Sequence, residues 1–201
     1  MSEVTEPVVS IDGRVARRER NIALVLDTVI EMFGEDAVMP TIERVAERAG
    51  LSARSLYRYF ADPDALIEAA FAAQRRRSLA LADIDGIGEG SLDRRLDAFV
   101  ASRWRVYEAN RAIYRAAVHH SMRHPRFAEG LVRRRDEMRE QLELQFAPEL
   151  DAMGVDERAE VAAAADALTQ LDALDLLARH RGLSEAAVSA VLRRGLAALL
   201  A

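Results

Sequence analysis

The stretch from Thr41 to Phe60, TIERVAERAGLSARSLYRYF, leaves the chain little choice of local fold. Thr41 follows Pro40 and is placed to cap a short helix whose apolar positions Ile42, Val45, Ala46 and Ala49 recur at helical spacing. Gly50 can take the positive φ that a sharp helix stop requires. Leu51 begins a turn, Ser52 caps a second helix, and Leu56, Tyr59 and Phe60 give that helix an inward face. So close in sequence, the two helices must cross steeply. Such a crossing needs a small side chain where the backbones approach, a glycine in the turn and an apolar anchor beyond it. Ala46, Gly50 and Leu56 stand in that order, and the stretch is predicted to be a helix-turn-helix.

The outer face of the second helix carries Ser52, Ala53, Arg54, Ser55, Tyr57 and Arg58, all small, polar or cationic. Small residues at the N-terminal end let a backbone approach base edges in the major groove, and Arg can bond guanine or phosphate through two donors. Exposed Arg is also ordinary on a solvated helix, so the two arginines alone admit both readings.

Thr41 to Leu66 resembles the DNA-binding domain of the TetR family of transcriptional repressors. The family pattern runs Thr, an apolar residue, Ala-Gly-apolar-Ser, Leu-Tyr and an aromatic-Phe pair before a fourth helix. It is matched at Thr41, Ile42, Val45, Ala46, Ala49, Gly50, Leu51, Ser52, Leu56, Tyr57 and Phe60. Three positions depart: Tyr59 stands where histidine is common, Arg54 replaces a frequent glycine, and Pro63 occupies a usual lysine position, which removes one customary phosphate contact. The resemblance implies that Thr41, Tyr57 and Tyr59 hold the DNA backbone while Ser52, Ala53, Arg54 and Ser55 face bases. Arg44 and Arg58 complete the expected DNA-binding set. It also implies a homodimer on a double-stranded operator, with a C-terminal helical domain that binds a small-molecule effector and dimerises.

Half of the 201 residues are apolar, enough for one or two packed domains. The net charge of -5 gives no global basic character, so the positive charge is local. Arg14, Arg17, Arg18 and Arg20 stand against Glu19 alone, and residues 41 to 60 hold Arg44, Arg48, Arg54 and Arg58 against Glu43 and Glu47. All 28 cationic residues are Arg, which points to genomic base composition rather than chemistry. With no cysteine, disulfides and thiolate catalysis are excluded. The start, MSEVTEPVVSIDG, lacks a basic n-region and an apolar core, and no apolar run approaches the roughly 20 residues needed to span a bilayer. A cytoplasmic protein without a membrane partner is expected.

In chain order, residues 1–13 are expected to be a disordered tail, and Arg14 to Phe33 a helix with Ile22, Val25, Leu26, Val29, Ile30 and Phe33 on one stripe. The arginine cluster at its start lies near a phosphate backbone or in water. Asp62 and Pro63 open a fourth helix that ends near Arg75-Arg76-Arg77, and Asp83 to Gly90 is the linker candidate. The expected organisation is a DNA-binding domain over 14–80, with the helix-turn-helix at 41–60, and an effector and dimerisation domain over 81–201. The fold class is all-α.

Beyond the linker the pattern predicts a helix from Ser91 to about Asn110, a separate one from about Ala112 to Arg123, another from Pro125 to Phe146, one unbroken helix from Asp156 to Arg179, and a terminal helix capped by Ser184. Trp104, Tyr107, Asn110, Tyr114, Met122, Phe127 and Met138 are the candidates to line a pocket for a small apolar or aromatic ligand. Leu168, Leu171, Val188, Val191, Leu192 and Leu199 are the candidates for a dimer interface, with an intrachain bundle as the alternative. His119, His120 and His124 invite a metal, but His124 precedes Pro125 and no Asp, Glu or Cys completes the set, so no metal is expected. No catalytic residue and no cofactor are assigned, because paired nucleophile and base signatures and cofactor motifs are absent. The alternatives to a DNA-binding regulator are a helix-turn-helix used for protein binding and an enzyme on a helical bundle.

Overall fold

The structure, a computed structural model, describes residues 9–36 and 39–201. Every regular element among them is a helix: α1 (Val9–Asp36), α2 (Ile42–Arg48), α3 (Ala53–Tyr59), α4 (Pro63–Ala82), α5 (Leu92–Ser121), α6 (Pro125–Gln145), α7 (Ala147–Leu150), α8 (Val155–Thr169), α9 (Leu171–Asp175, continuing as a π turn over Leu176–His180) and α10 (Glu185–Leu199). Residues 1–8 of the expected tail lie outside the described residues, and Val9 to Gly13 form the start of α1. The described chain divides into two compact units, one ending at Arg75 and one running from Arg76 to Ala201, and the division falls inside α4.

The first unit is built on one apolar cluster. Val25, Leu26 and Val29 of α1 meet Ile42 and Val45 of α2, Leu56 of α3, and Leu66, Ile67 and Ala70 of α4, and the buried Phe33 stands edge-on to Phe71 at 5.1 Å. The caps fall where the side chains call for them. Thr41 Oγ1 accepts from the Arg44 amide at 3.4 Å, Ser52 Oγ from the Ser55 amide at 3.2 Å, and Asp62 Oδ1 from the Ala65 amide at 2.7 Å. Gly50 sits at φ 65°, a backbone conformation that costs a side chain strain, and its amide and that of Leu51 bond back to Glu47 and Ala46. The Arg48 guanidinium grips both carboxylate oxygens of Glu35 at 2.6 and 2.7 Å, tying α2 to α1.

In the second unit α5 is a single helix of 30 residues, not the two expected, because nothing between Asn110 and Ala112 breaks it. It runs beside α6, α9 and α10 over a core of Leu96, Phe99, Val106, Tyr107, Leu142, Phe146, Leu174 and Leu192. Arg103 lies inside this core with 1% of its surface exposed. Its guanidinium donates to Gln141 Oε1 and to Met138 O and stacks 4.1 Å above the Phe99 ring, joining α5 to α6. Burial pushes its pKa down to about 9. Asp83 to Gly90 belongs to the second unit instead of linking two domains: Ile84 is buried in its core, and the Gly88 amide donates to Gln145 Oε1 at 3.1 Å.

The helix expected from Asp156 to Arg179 is broken. Gln170 is extended at φ -70° and ψ 155° and ends α8. Thr169 Oγ1 donates back to Ala165 O at 2.8 Å, and Gln170 Nε2 donates to Asp166 Oδ1 at 2.5 Å and to Arg135 O at 3.3 Å. Thr169 thus takes a helix carbonyl while Gln170 is held to Asp166 and to α6, and Leu171 beyond them is buried in the core. At Gly195 in α10, a Cβ would come 2.5 Å from Leu168 Cδ2, so the missing side chain lets α8 and α10 approach.

Leu56 is fully buried. Leu56→Ala is expected to cost about 2–5 kcal/mol, seen as a lower urea midpoint, with loss of order in α3 preceding that of the second unit.

Candidate nucleic-acid interface

The helix-turn-helix presents its outer face as the sequence reading places it. Ser52, Arg54 and Arg58 are exposed, Ala53 and Ser55 are partly so, and Tyr57 keeps half its surface in solvent. Ser52 Oγ and Ser55 Oγ lie 2.9 Å apart, while Ser52 also caps the helix, so its position on this face is fixed by the backbone. Arg54 and Arg58 have no carboxylate partner among the described residues. Thr41 and Arg44 are exposed at the start of α2. The Tyr57 hydroxyl donates to Glu43 Oε1 at 3.2 Å, and the Glu43 charge pushes the phenol's pKa up, with loss of hydration adding to it. Glu43 was not among the expected site residues.

Tyr59 is the most elaborated position. Its pKa is lowered, first by a hydrogen bond from Asn21 and then by one from Arg58, whose Nη2 lies 3.4 Å from the phenolic oxygen. The Arg58 guanidinium stands 5.3 Å from the ring centroid, and that of Arg18 stands 5.9 Å from the same centroid. The contact from α1 could not be read from spacing within residues 41–60, although the basic first turns of α1 pointed towards it.

The expected pocket residues do not form one group. Tyr107, Tyr114 and Met138 belong to the buried core of the second unit, with Trp104 packed partly against it 5.5 Å from Tyr107. Tyr107 donates to Asp175 Oδ1 at 3.1 Å, and burial raises its pKa; burial together with Asp172 raises that of Tyr114 further. Asn110 is tied up: its Oδ1 accepts from Ser78 Oγ at 2.7 Å and its Nδ2 donates to Val106 O at 2.7 Å. Phe127 is buried beside His120 and His124, 5.8 and 5.9 Å away, outside that core cluster, and Met122 is 95% exposed. A surface groove of about 390 Å³ lies elsewhere, between Glu140, Leu144, Ala147 and Arg158. Of the expected interface residues, Leu171, Val188 and Leu192 are buried in their own chain, whereas Val191 is exposed and Leu168 and Leu199 are partly so.

His124 is extended, beyond the end of α5 and ahead of Pro125, although its amide donates back to His120 O at 3.0 Å and the two rings lie 5.6 Å apart. Among the described residues no three His, Cys, Asp or Glu side chains are gathered to hold a metal, and no helix is long and apolar enough to cross a membrane.

A helical unit that anchors a seven-residue helix by Leu56 and turns its polar and cationic side outward has the form of a helix-turn-helix DNA-binding unit. Residues 25–70 match the family model of the bacterial regulatory proteins, tetR family, so this part of the chain is a TetR-type N-terminal domain. Members of that family are regulators, not enzymes. In fold the chain is similar to a transcriptional regulator from Rhodococcus sp. Rha1, at 19% identity over 89% of this chain and 95% of that one, with a TM-score of 0.67. It is similar also to a protein described as a TetR-family transcriptional regulator from Rhodococcus sp., at 18% identity over 90% and 100% of the two chains, with a TM-score of 0.68. No curated protein matches it in sequence.

Glu43, which accepts from Tyr57, places a negative charge beside the outer face of α3. Glu43→Gln is expected to tighten DNA binding a few-fold at low ionic strength and progressively less at physiological salt and above, where charges beyond about 8 Å are screened. Fluorescence anisotropy on a labelled duplex measures it, and unchanged affinity at low salt would place Glu43 away from the phosphates.

Proposed function

We propose that the protein is a homodimeric cytoplasmic repressor that holds a palindromic operator and is released from it by a small apolar or aromatic ligand. The observation that carries the DNA half of this reading is the outer face of α3, where Arg54 and Arg58 stand exposed without carboxylate partners among the described residues. Ser52, Ala53, Arg54 and Ser55 would read base edges. Thr41, Arg44, Tyr57, Arg58 and Tyr59 would hold phosphates, as Tyr and Arg commonly do. Residues up to about 80 would form the DNA-binding domain, and those beyond would bind ligand and dimerise.

The ligand half rests on the side of α5 that carries Trp104 and Tyr107, facing Met138. The same helix holds Asn110, which accepts from Ser78 at the C-terminal end of α4. Because α4 is continuous from Pro63 to Ala82, a ligand that repacks α5 near Asn110 has a short covalent route to the recognition unit. A preference of about 1–3 kcal/mol for the arrangement that mismatches the operator lowers DNA affinity by about 5- to 150-fold, and DNA weakens the ligand by the same factor.

For the dimer, the exposure of Val191 and the partial exposure of Leu168 and Leu199 favour these three over Leu171, Val188 and Leu192. Val191→Arg is expected to give folded monomers in sedimentation, whereas Leu192→Arg is expected to unfold the second unit. A folded, dimeric Val191→Arg protein would move the interface to another face.

Selection of bound duplexes from a random-sequence pool tests the whole reading. The expected product is a near-palindrome whose half-sites lie about 34–36 Å apart, one helical turn, or a multiple of it. Recovery of a single unpaired half-site would contradict the dimeric mode. Trp104 fluorescence, titrated with a set of aromatic metabolites, is expected to respond to the ligand, and a responding compound must bind more weakly when operator is present. Equal affinity with and without operator would mean a binding site that is not a switch.

A further inference from the structure

α1 contributes to the DNA-facing side of the first unit in a way that the helix-turn-helix alone does not describe. Arg18, on α1, and Arg58, on α3, bring their guanidinium groups to within 5.9 and 5.3 Å of the centroid of one ring, that of Tyr59. Two cations gathered at one neutral group repel each other, and such an arrangement ordinarily carries a carboxylate between them. Neither has one among the described residues. By contrast Arg48, in the same unit, is held by both oxygens of Glu35.

The hydrogen bonds at the phenol point the same way. Asn21, also on α1, and Arg58 both direct donors at the Tyr59 oxygen. With the oxygen accepting twice, its own O–H is free to donate outward. Two exposed guanidinium groups and one hydroxyl, all donors and with no acceptor among them, compose a site for a tetrahedral oxyanion. On a protein that binds DNA, that oxyanion is a backbone phosphate.

We propose that Arg18, Arg58 and Tyr59, with Asn21 orienting the phenol, form a clamp for one DNA phosphate. It thereby engages α1 directly with the strand that flanks the groove read by α3. The inference rests on the reading of α3 as the recognition helix and adds a contact from a different element. The clamp carries no base information, so it fixes the docking angle of α3 and strengthens binding to every sequence alike.

The test compares the full-length wild type with Arg18→Gln, Arg17→Gln, Tyr59→Phe and the Arg18→Gln/Tyr59→Phe double variant. The probes are a mixed-sequence duplex and the duplex recovered by selection, with affinity measured as a function of salt. Arg17 is the charge-matched control, since it is exposed, next to Arg18 in sequence, and makes no contact with Tyr59. Loss of one phosphate contact lowers the slope of log affinity against log salt by about one. Arg18→Gln is expected to show that loss on both duplexes with the base preference unchanged, and the double variant is expected to lose less than the two singles together. Arg17→Gln is expected to keep the wild-type slope. Thermal melting of Arg18→Gln should match the wild type, because the side chain is exposed. Equal losses for Arg17→Gln and Arg18→Gln would mean diffuse attraction and no clamp. A wild-type slope in Arg18→Gln, with DNA still bound, would overturn the clamp while leaving the α3 reading intact. Failure of the wild type to bind either duplex would overturn both.

Discussion

The burial of Leu56 is the contact on which the exposed face of α3, the proposed DNA-reading surface, depends. α3 has seven residues, too short to hold itself together in water, since helices of fewer than about 12–15 residues are marginal in isolation. Leu56 is its one buried residue, with Phe60 buried just beyond its end. Everything else on the helix is left free to be polar. The Ser52 cap fixes where the helix begins, the positive φ of Gly50 sets the turn before it, and Leu56 fixes its rotation. Those three settle which way Arg54 and Arg58 point.

The second unit is organised differently. Its long helix α5 carries polar groups into the core, and the buried side chains find partners on other elements, although Nε of Arg95 and of Arg103 makes no hydrogen bond. Arg95 donates to Gln145 O at 3.2 Å and pairs with Glu149; Arg103 donates to Gln141 and Met138; and Tyr107 and Arg115 both donate to Asp175 Oδ1, at 3.1 and 2.9 Å. Leaving any of these groups unpaired in a low-dielectric interior would cost more than the bond returns, so the network fixes the register between α5, α6 and α9 more narrowly than apolar packing would. Asp175 sits where α9 passes into a π turn, an irregularity that widens the helix next to the buried carboxylate.

The legible parts of the fold were those written in local chemistry. Thr41, Ser52, Asp62, Ser91 and Ser184 all cap the helices that their side chains announced, because a hydroxyl or carboxylate placed before an apolar run has one good use there. The break at Thr169 and Gln170 was not legible. An Ala- and Leu-rich run looks continuous until Thr169 and Gln170 find acceptors, one of which, Arg135 O, is far away in sequence. Periodicity likewise shows that α8 and α10 have apolar faces but not what covers them. Leu171, Val188 and Leu192 turn inward, and Val191 stays outside. Met122 is left exposed for a related reason: it caps the C-terminal end of α5, where the apolar stripe has already run past the core. At the candidate interface the outward residues of α3 were legible, while Glu43 and Asn21 were not, since their roles come from contacts between helices.

The central claim is that the outer face of α3 lies in a major groove and reads base edges there. Dimethyl sulfate methylates guanine N7 in the major groove and adenine N3 in the minor groove, so it separates the two grooves on a single duplex. With the selected duplex, wild-type protein should protect guanine N7 at positions one turn apart. Arg54→Ala should lose protection at one of them in each half-site, with adenine N3 unaffected. Protection confined to adenine N3, or a pattern that Arg54→Ala leaves unchanged, would contradict the account.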